Sequence, residues 1–178
     1  MGEFRHHSPV LLLLGAFSRY PAALAWAREQ SCRVWGPVAL ASEEFAFDNT
    51  KFYEPTMGAG LRKVFWAFER LVAPEFLVEA KCQTDAWERE YCHIGGVPEP
   101  RPVNLDPGYL TEAKLVLATT KDRDHRLYLG RGVFAEVTLY YQRGGGWQAR
   151  EWTYPDYRRP ACHTFFLRCR AYLRQKKP

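Results

Sequence analysis

Residues 10–17 read VLLLLGAF, an uncharged apolar run bounded by Pro9 on one side and Ser18-Arg19 on the other. A helix needs roughly 20 apolar residues to cross a bilayer, so this run is too short to span one. A continuous apolar stretch of this length fits a central strand buried on both faces. The same region has the outline of a secretory signal, with a basic start, an apolar run and Ala16-x-Ser18 where a peptidase could cut. The strand reading is preferred, because helix signals follow at once and the cysteine usage is not secretory. Myristoylation of Gly2 would need Ser or Thr at position 6, where His6 stands. The chain is therefore expected to start with a buried strand around which a sheet assembles.

The punctuation after that strand sets the order of elements. Pro21 opens PAALAWAREQSCRVW and Gly36 closes it, with Leu24, Trp26, Ala27 and Cys32 as an inner stripe. PVALASEEFAF reads as a strand and DNTKFYEPTMGAG as a loop. In LRKVFWAFERLV, Val64, Trp66 and Phe68 alternate with Phe65 and Ala67, which suits a strand buried on both sides. Pro74 begins a helix with Phe76, Ala80, Trp87 and Tyr91 at helical spacing. GGVPEPRP is a loop. Strands follow at VNLD, KLVLATT, HRLYLG, VFAEVTLYYQ and WQAREWTY, joined by the turns KDRD, GRG and RGGG. ACHTFFLRCRAYLRQ is a last helix, with Phe165, Phe166, Cys169, Tyr172 and Leu173 inside and Arg168, Arg170 and Arg174 toward water. This order predicts one α+β domain over residues 1–178. It is a mostly antiparallel sheet with helices on one face, a ferredoxin-like βαββαβ core extended by C-terminal hairpins and a final helix.

Composition narrows the function classes. A net charge of +5 and a pI near 9.0 admit a phosphorylated or polyanionic partner without requiring one. Part of the excess lies in the tail RAYLRQKKP, which suits a helix C-terminus. The five cysteines are odd in number, widely spaced and without a C-x-x-C pair, so no disulfide framework is expected and a reducing, cytoplasmic location fits. Cys92-His93 and Cys162-His163 lack zinc spacing and read as buried thiols.

Several motifs fail on context. GRGVFA at 130–135 satisfies G-x-G-x-x-A, but it is followed by the strand-like VFAEVTLYY, so it reads as a hairpin turn and not as a dinucleotide fingerprint. TTKD places Asp122 one residue too early for the guanine-specifying motif of GTPases. No G-x-x-x-x-G-K-[ST] exists, which excludes a conventional P-loop GTPase, and no G-x-S-x-G elbow is present.

What remains is a set of polar residues on turns and strands. VNLDPGYL puts Asn104 and Asp106 on one strand face, and Pro107-Gly108 reads as the turn that ends the strand. Glu136 and Thr138 lie mid-strand, where a carboxylate needs a partner if buried. If the two strands share a face, Asp106 and Glu136 are candidate acid and base or divalent-cation ligands, beside Asn104 and Thr138. Near the KDRD turn, His125 can shuttle a proton while Lys121 and Arg126 can hold an anion. The alternatives are a solvated hairpin end and a salt bridge from Glu136 to Arg126 or Lys121. WTYPDYRR adds Asp156 and Arg158 among aromatic rings, where Arg can hold a base or anion. Asp156 can equally start the final helix.

These stretches carry a resemblance. Through FDNTKFYEPTMG, VNLDPGYLTEAKLVLATTKDRDHRLYLGRGVFAEVTLYY and WTYPDYR, the chain resembles the bacterial and archaeal family known as domain of unknown function 4416. The likeness spans nearly the whole chain. It departs at Pro55-Thr56 and at the RGGGW hairpin, neither of which touches the central motifs. The GTP-binding label often attached to that family has no motif to support it here. The resemblance marks Asp48, Thr50, Tyr53 and Glu54 as positions to watch, with the polar residues above, and implies no mechanism. The expected function is binding, or turnover, of a small phosphorylated or nucleotide-like ligand. A nucleic-acid-binding module and a non-catalytic partner-binding scaffold are the alternatives, and no membrane partner is expected.

Overall fold

The computed structural model describes residues 3 and 6–176; Gly2 and the end of the basic tail, Lys177 and Pro178, lie outside them. The elements run β1 (Val10–Ser18), α1 (Pro21–Trp35), β2 (Val38–Ala41), β3 (Phe45–Ala46), α2 (Glu54–Met57) and β4 (Arg62–Val72). There follow α3 (Phe76–Ile94), β5 (Asn104–Leu110), β6 (Lys114–Thr119), β7 (Leu127–Gly130), β8 (Val133–Gln142) and β9 (Gly146–Ala149). A 3-10 turn over Pro155–Arg158 leads into α4 (Pro160–Lys176). The fold is α+β. One nine-stranded sheet has the order β2-β4-β1-β5-β6-β8-β7, with β3 also on β4 and β9 also on β8. All of these pairs are antiparallel. The strands β2-β4-β1-β5, with α1 and α3 as crossovers, have the order of a ferredoxin-like plait. β6 to β9 extend it as hairpins.

β1 is central because both of its faces are apolar. Leu12, Leu14 and Ala16 pack under α1 and α3 with Ala23, Leu24, Ala27, Ala80 and Trp87. Leu11 and Leu13 point the other way, against Phe165, Phe166, Cys169 and Leu173 of α4. The plait helices thus share one face, and the final helix closes the opposite one. An alternating strand would have needed only one cover; a strand apolar at every position needs two.

Local chemistry accounts for the differences from the expected elements. PVALASEEFAF breaks into β2 and β3, because Ser42 enters the ladder with its side chain: its Oγ accepts the Phe65 N–H at 2.9 Å. The 48–60 loop contains the single helical turn α2. The strand beginning at Gly146 stops at Ala149, where Thr153 Oγ1 accepts the Arg150 N–H at 2.7 Å and donates to the Thr138 carbonyl at 2.5 Å. Arg170 does not face water. It donates to the Glu112 carbonyl at 2.7 Å and stacks over Tyr141, 3.8 Å from the ring centroid. GRG is a hairpin turn, as its context implied, with Arg131 at φ 54 between β7 and β8.

The largest difference lies at Pro107-Gly108. These residues do not end the strand; β5 continues through them to Leu110. In an antiparallel strand a residue's N–H and C=O point to the same side. Leu105 turns both toward α3, where Glu88 Oε1 accepts its N–H at 2.7 Å and Lys81 donates to its carbonyl at 3.4 Å. Pro107, two residues on, also points away from β1, so its missing N–H costs no bond to that strand. β6 joins β5 only from Gly108 onward. At Gly108 a Cβ would stand 2.5 Å from the Val116 carbonyl oxygen, so glycine is what lets the two strands meet there.

Candidate functional site

The face of the sheet that α4 covers is apolar at one end and polar at the other. Register sets Phe17 beside Lys63 and Asn104, then Gly15 beside Phe65 and Asp106. Gly108 lies beside Leu117, and Leu117 beside Glu136. α4 stops short of this polar end. The 3-10 turn and the Phe47–Met57 segment stand over it instead, and the space beneath them is a cavity of about 540 Å³. That is within the usual range for small-molecule sites. Its lining includes six basic side chains (Lys63, Lys81, Arg101, Lys121, Arg123 and Arg126), three carboxylates (Asp106, Glu136 and Asp156) and the rings of Phe17, Phe47, Phe52, Tyr53, Tyr154 and Tyr157.

The unpaired stretch of β5 is what lets α3 contribute. Because β6 does not pair with Asn104–Pro107, side chains from α3 reach the strand edge there. Glu88 Oε2 accepts from Arg101 Nη2 at 3.1 Å, and Arg101 also donates to Asn104 Oδ1. Asn104 Nδ2 donates to Asp106 Oδ2 at 2.7 Å. A hydrogen-bonded line thus runs Glu88–Arg101–Asn104–Asp106. Lys81 lies alongside, 2.9 Å from Asp85. Burial pulls the Lys81 ammonium down, but the carboxylates of Asp106, Glu88 and Asp85 outweigh it and leave it above its ordinary value. Burial likewise raises Glu88, against the pull of Arg101 and Lys81. Tyr53 is pushed up to about 12, first by burial and then by the Asp106 charge.

A second cluster surrounds Glu136. Arg126 Nε donates to Glu136 Oε2 at 2.8 Å, and His125 Nε2 lies 3.1 Å from the same oxygen. Thr138 Oγ1 is 3.4 Å from Glu136 Oε1. The other His125 nitrogen faces Asp124 at 3.1 Å, and its ring stacks on Trp152 with centroids 4.9 Å apart. Arg126 further donates to the Lys121 carbonyl at 2.9 Å and to the Tyr154 hydroxyl at 3.1 Å, which ties the 121–126 segment to the cavity rim.

The third cluster is buried. Lys63 Nζ lies 2.6 Å from Asp156 Oδ2, and each side chain is only 3% exposed. The rings of Phe17, Phe47, Phe65 and Tyr157 surround the ammonium at 4.5–5.4 Å from their centroids. Asp156 therefore serves as the counter-ion of a caged lysine and does not begin the final helix. Tyr157, beside it, is fully buried.

Of the residues singled out in the sequence, Asn104, Asp106, Lys121, Arg126, Glu136 and Asp156 line the cavity, with Thr50 and Tyr53. His125 and Thr138 stand behind Glu136 and do not line it. Arg158 is spent on the backbone, donating to the carbonyls of Thr153, Arg150 and Glu151 at 2.8–2.9 Å. Asp48 pairs with Arg159 at 2.6 Å, and Glu54 is an exposed residue at the start of α2. β6 runs between β5 and β8, so the Asp106 and Glu136 backbones are roughly 12 Å apart. Their carboxylates are engaged by separate partners. Among the described residues no group of three or more His, Cys, Asp or Glu could hold a metal ion. The sequence reading missed Lys63, Lys81, Glu88 and Arg101, and placed Tyr157 only as a flanking ring of WTYPDYRR. A lysine inside an otherwise apolar strand was the available signal for Lys63. Nothing local marked Lys81, Glu88 or Arg101.

The family model described as domain of unknown function (DUF4416) matches residues 8–172. The chain belongs to the DUF4416 family. The match takes in every element that builds the cavity. No curated protein and no solved structure matches the chain. Among the described residues no helix is long and apolar enough to cross a membrane.

Proposed function

We propose that this DUF4416 protein binds a small phosphorylated or nucleotide-like ligand in the cavity between the polar end of the sheet and the 3-10 turn. The observation that carries the reading is the lining itself. Basic side chains outnumber carboxylates two to one, and a rim of rings stands beside them. At the rim, the Lys121 ammonium lies 5.4 Å from the Phe52 ring centroid, and Phe52 is 68% exposed. Among the described residues neither Lys121 Nζ nor the Arg123 guanidinium has a hydrogen-bonding or ion-pair partner, so both are available to an anion. Phe52, Tyr53 and Tyr154 offer flat surface for a planar group. The basic groups converge on a concavity, which supports a small ligand over a polynucleotide tracking a surface.

Thermal unfolding with a panel of nucleotides and phosphorylated sugars, with and without magnesium, tests this. The expected result is a rise in midpoint with at least one phosphorylated compound, reduced in Lys121→Ala/Arg123→Ala. No rise with any of them would end the proposal. Salt-dependent binding of single-stranded oligonucleotides in place of small compounds would favour a nucleic-acid module.

A further inference from the structure

The rim and the floor of the cavity offer a ligand different chemistry. At the rim stand the two uncommitted cations, Lys121 and Arg123. Toward the floor the basic groups already have carboxylate partners: Lys63 has Asp156, Lys81 has Asp85 and Arg101 has Glu88. What stays unpaired there is a buried hydroxyl and a carboxylate oxygen. Tyr157 is fully buried and lines the cavity, and its hydroxyl has no hydrogen-bond partner among the described residues. It stands over Gly15, where a Cβ would lie 3.3 Å from it. Gly15 is the cross-strand partner of Asp106. Asp106 accepts from Asn104 through Oδ2, which leaves Oδ1 open among the described residues.

A buried hydroxyl left unsatisfied is costly, and phenylalanine would fill the same space without that cost. A phosphate finds no uncommitted cation at this floor, because Lys63, Lys81, Arg101 and Arg126 are already held by carboxylates. A neutral group with an acceptor beside a donor could. The Tyr157 hydroxyl is held well above its ordinary value by burial and then by the charges of Asp156, Asp106 and Glu136, so it is a donor throughout the neutral range.

We infer that the ligand is bipolar, with its phosphate at the rim on Lys121 and Arg123 and, at the floor, a neutral group that accepts from Tyr157 and donates to Asp106. Sugar hydroxyls or the C=O/N–H edge of a base have that chemistry. This rests on the reading that the cavity binds a phosphorylated ligand, and makes Tyr157 a specificity-determining residue.

The test uses the full chain with nucleoside 5′-monophosphates, their nucleosides, ribose 5-phosphate, ribose and inorganic phosphate, followed by titration calorimetry. A phosphorylated compound should bind more tightly than both its dephosphorylated form and phosphate alone. Tyr157→Phe should weaken that compound and its dephosphorylated form by the same factor, about 3- to 10-fold for one hydrogen bond, and leave phosphate unaffected. Lys121→Ala/Arg123→Ala should erase the advantage of the phosphorylated form. An unfolding midpoint for Tyr157→Phe at or above wild type establishes that the variant is folded. Asp106→Asn, at the same floor, should repeat the affinity pattern should Tyr157→Phe fold poorly. If phosphate binds as tightly as the whole compound, or if Tyr157→Phe (or, where that variant folds poorly, Asp106→Asn) leaves its affinity unchanged, the bipolar assignment is overturned while the phosphorylated-ligand reading survives. If no phosphorylated probe binds, both fall.

Discussion

Replacing Asp156 by asparagine should strip the counter-charge from a lysine that cannot reach water. Lys63 lies 2.6 Å from Asp156, both side chains are 3% exposed, and four aromatic rings stand around the ammonium. A ring facing a desolvated ammonium contributes about 2 kcal/mol or more, but the four rings are there with or without Asp156 and so add nothing to offset the lost charge. Removing one partner of a buried pair costs about 3–5 kcal/mol, because the other charge stays behind uncompensated. In a chain of this size that is a fall of roughly 6–20 °C in unfolding midpoint. Urea denaturation followed by far-UV circular dichroism and tryptophan fluorescence would measure it. The companion variant is Lys63→Met/Asp156→Asn, which removes both charges and should recover most of the loss. A loss below about 1 kcal/mol in Asp156→Asn, or a double variant no more stable than the single one, would refute the reasoning. The pair also bears on the site, since it clamps the turn that carries Tyr157 to the sheet.

Two further outcomes test the frame around the cavity. Gly108→Ala puts a Cβ 2.5 Å from a backbone oxygen of β6 and should cost about 1–3 kcal/mol in the same urea assay; an unchanged midpoint would mean that the β5–β6 contact is looser than the register implies. The thiols should separate by burial. Burial pushes Cys162 from 9.0 up to about 11, with Asp156 adding to it, and raises Cys169 as well, whereas Cys92 is exposed. A raised folded value favours the protonated thiol, so its contribution is complete below pH 9 and is lost as pH rises toward 11. Alkylation at pH 8, read by peptide mass mapping, should mark Cys92 and spare Cys162 and Cys169; early labelling of either buried thiol would contradict the packing of α4.

Much of the fold was legible because its signals are local. An apolar run of strand length, Pro at helix starts, Gly after a helix end and alternation in LRKVFWAFERLV each depend on neighbours within a few residues. Together they announced the plait and its hairpin extension. Pro107-Gly108 misled for the same reason. By local rules the pair ends a strand. The structure keeps it in one because Pro107 sits where β5 has no strand partner for its missing N–H, and because Gly108 admits β6 at close range. The site was legible only in part. Asp106 and Glu136 stood out as acids on strands, and Arg126 as a possible partner, but Lys63 is held by Asp156, Lys81 reaches the Leu105 carbonyl and Glu88 meets Arg101 and the Leu105 N–H, contacts that span 13 to 93 residues of sequence.

The sequence by itself determined which residues must be buried and the order in which helices and strands follow, since hydrophobic period and turn chemistry act over one or two turns of chain. Only the tertiary structure decided that α4 covers the second face, that β5 and β6 part beside Asn104, and that a caged lysine, an uncommitted hydroxyl and two open cations line one cavity. Those are matters of register and of charge pairing across tens of residues. Either can change with a one-residue shift in strand alignment without altering a single local signal.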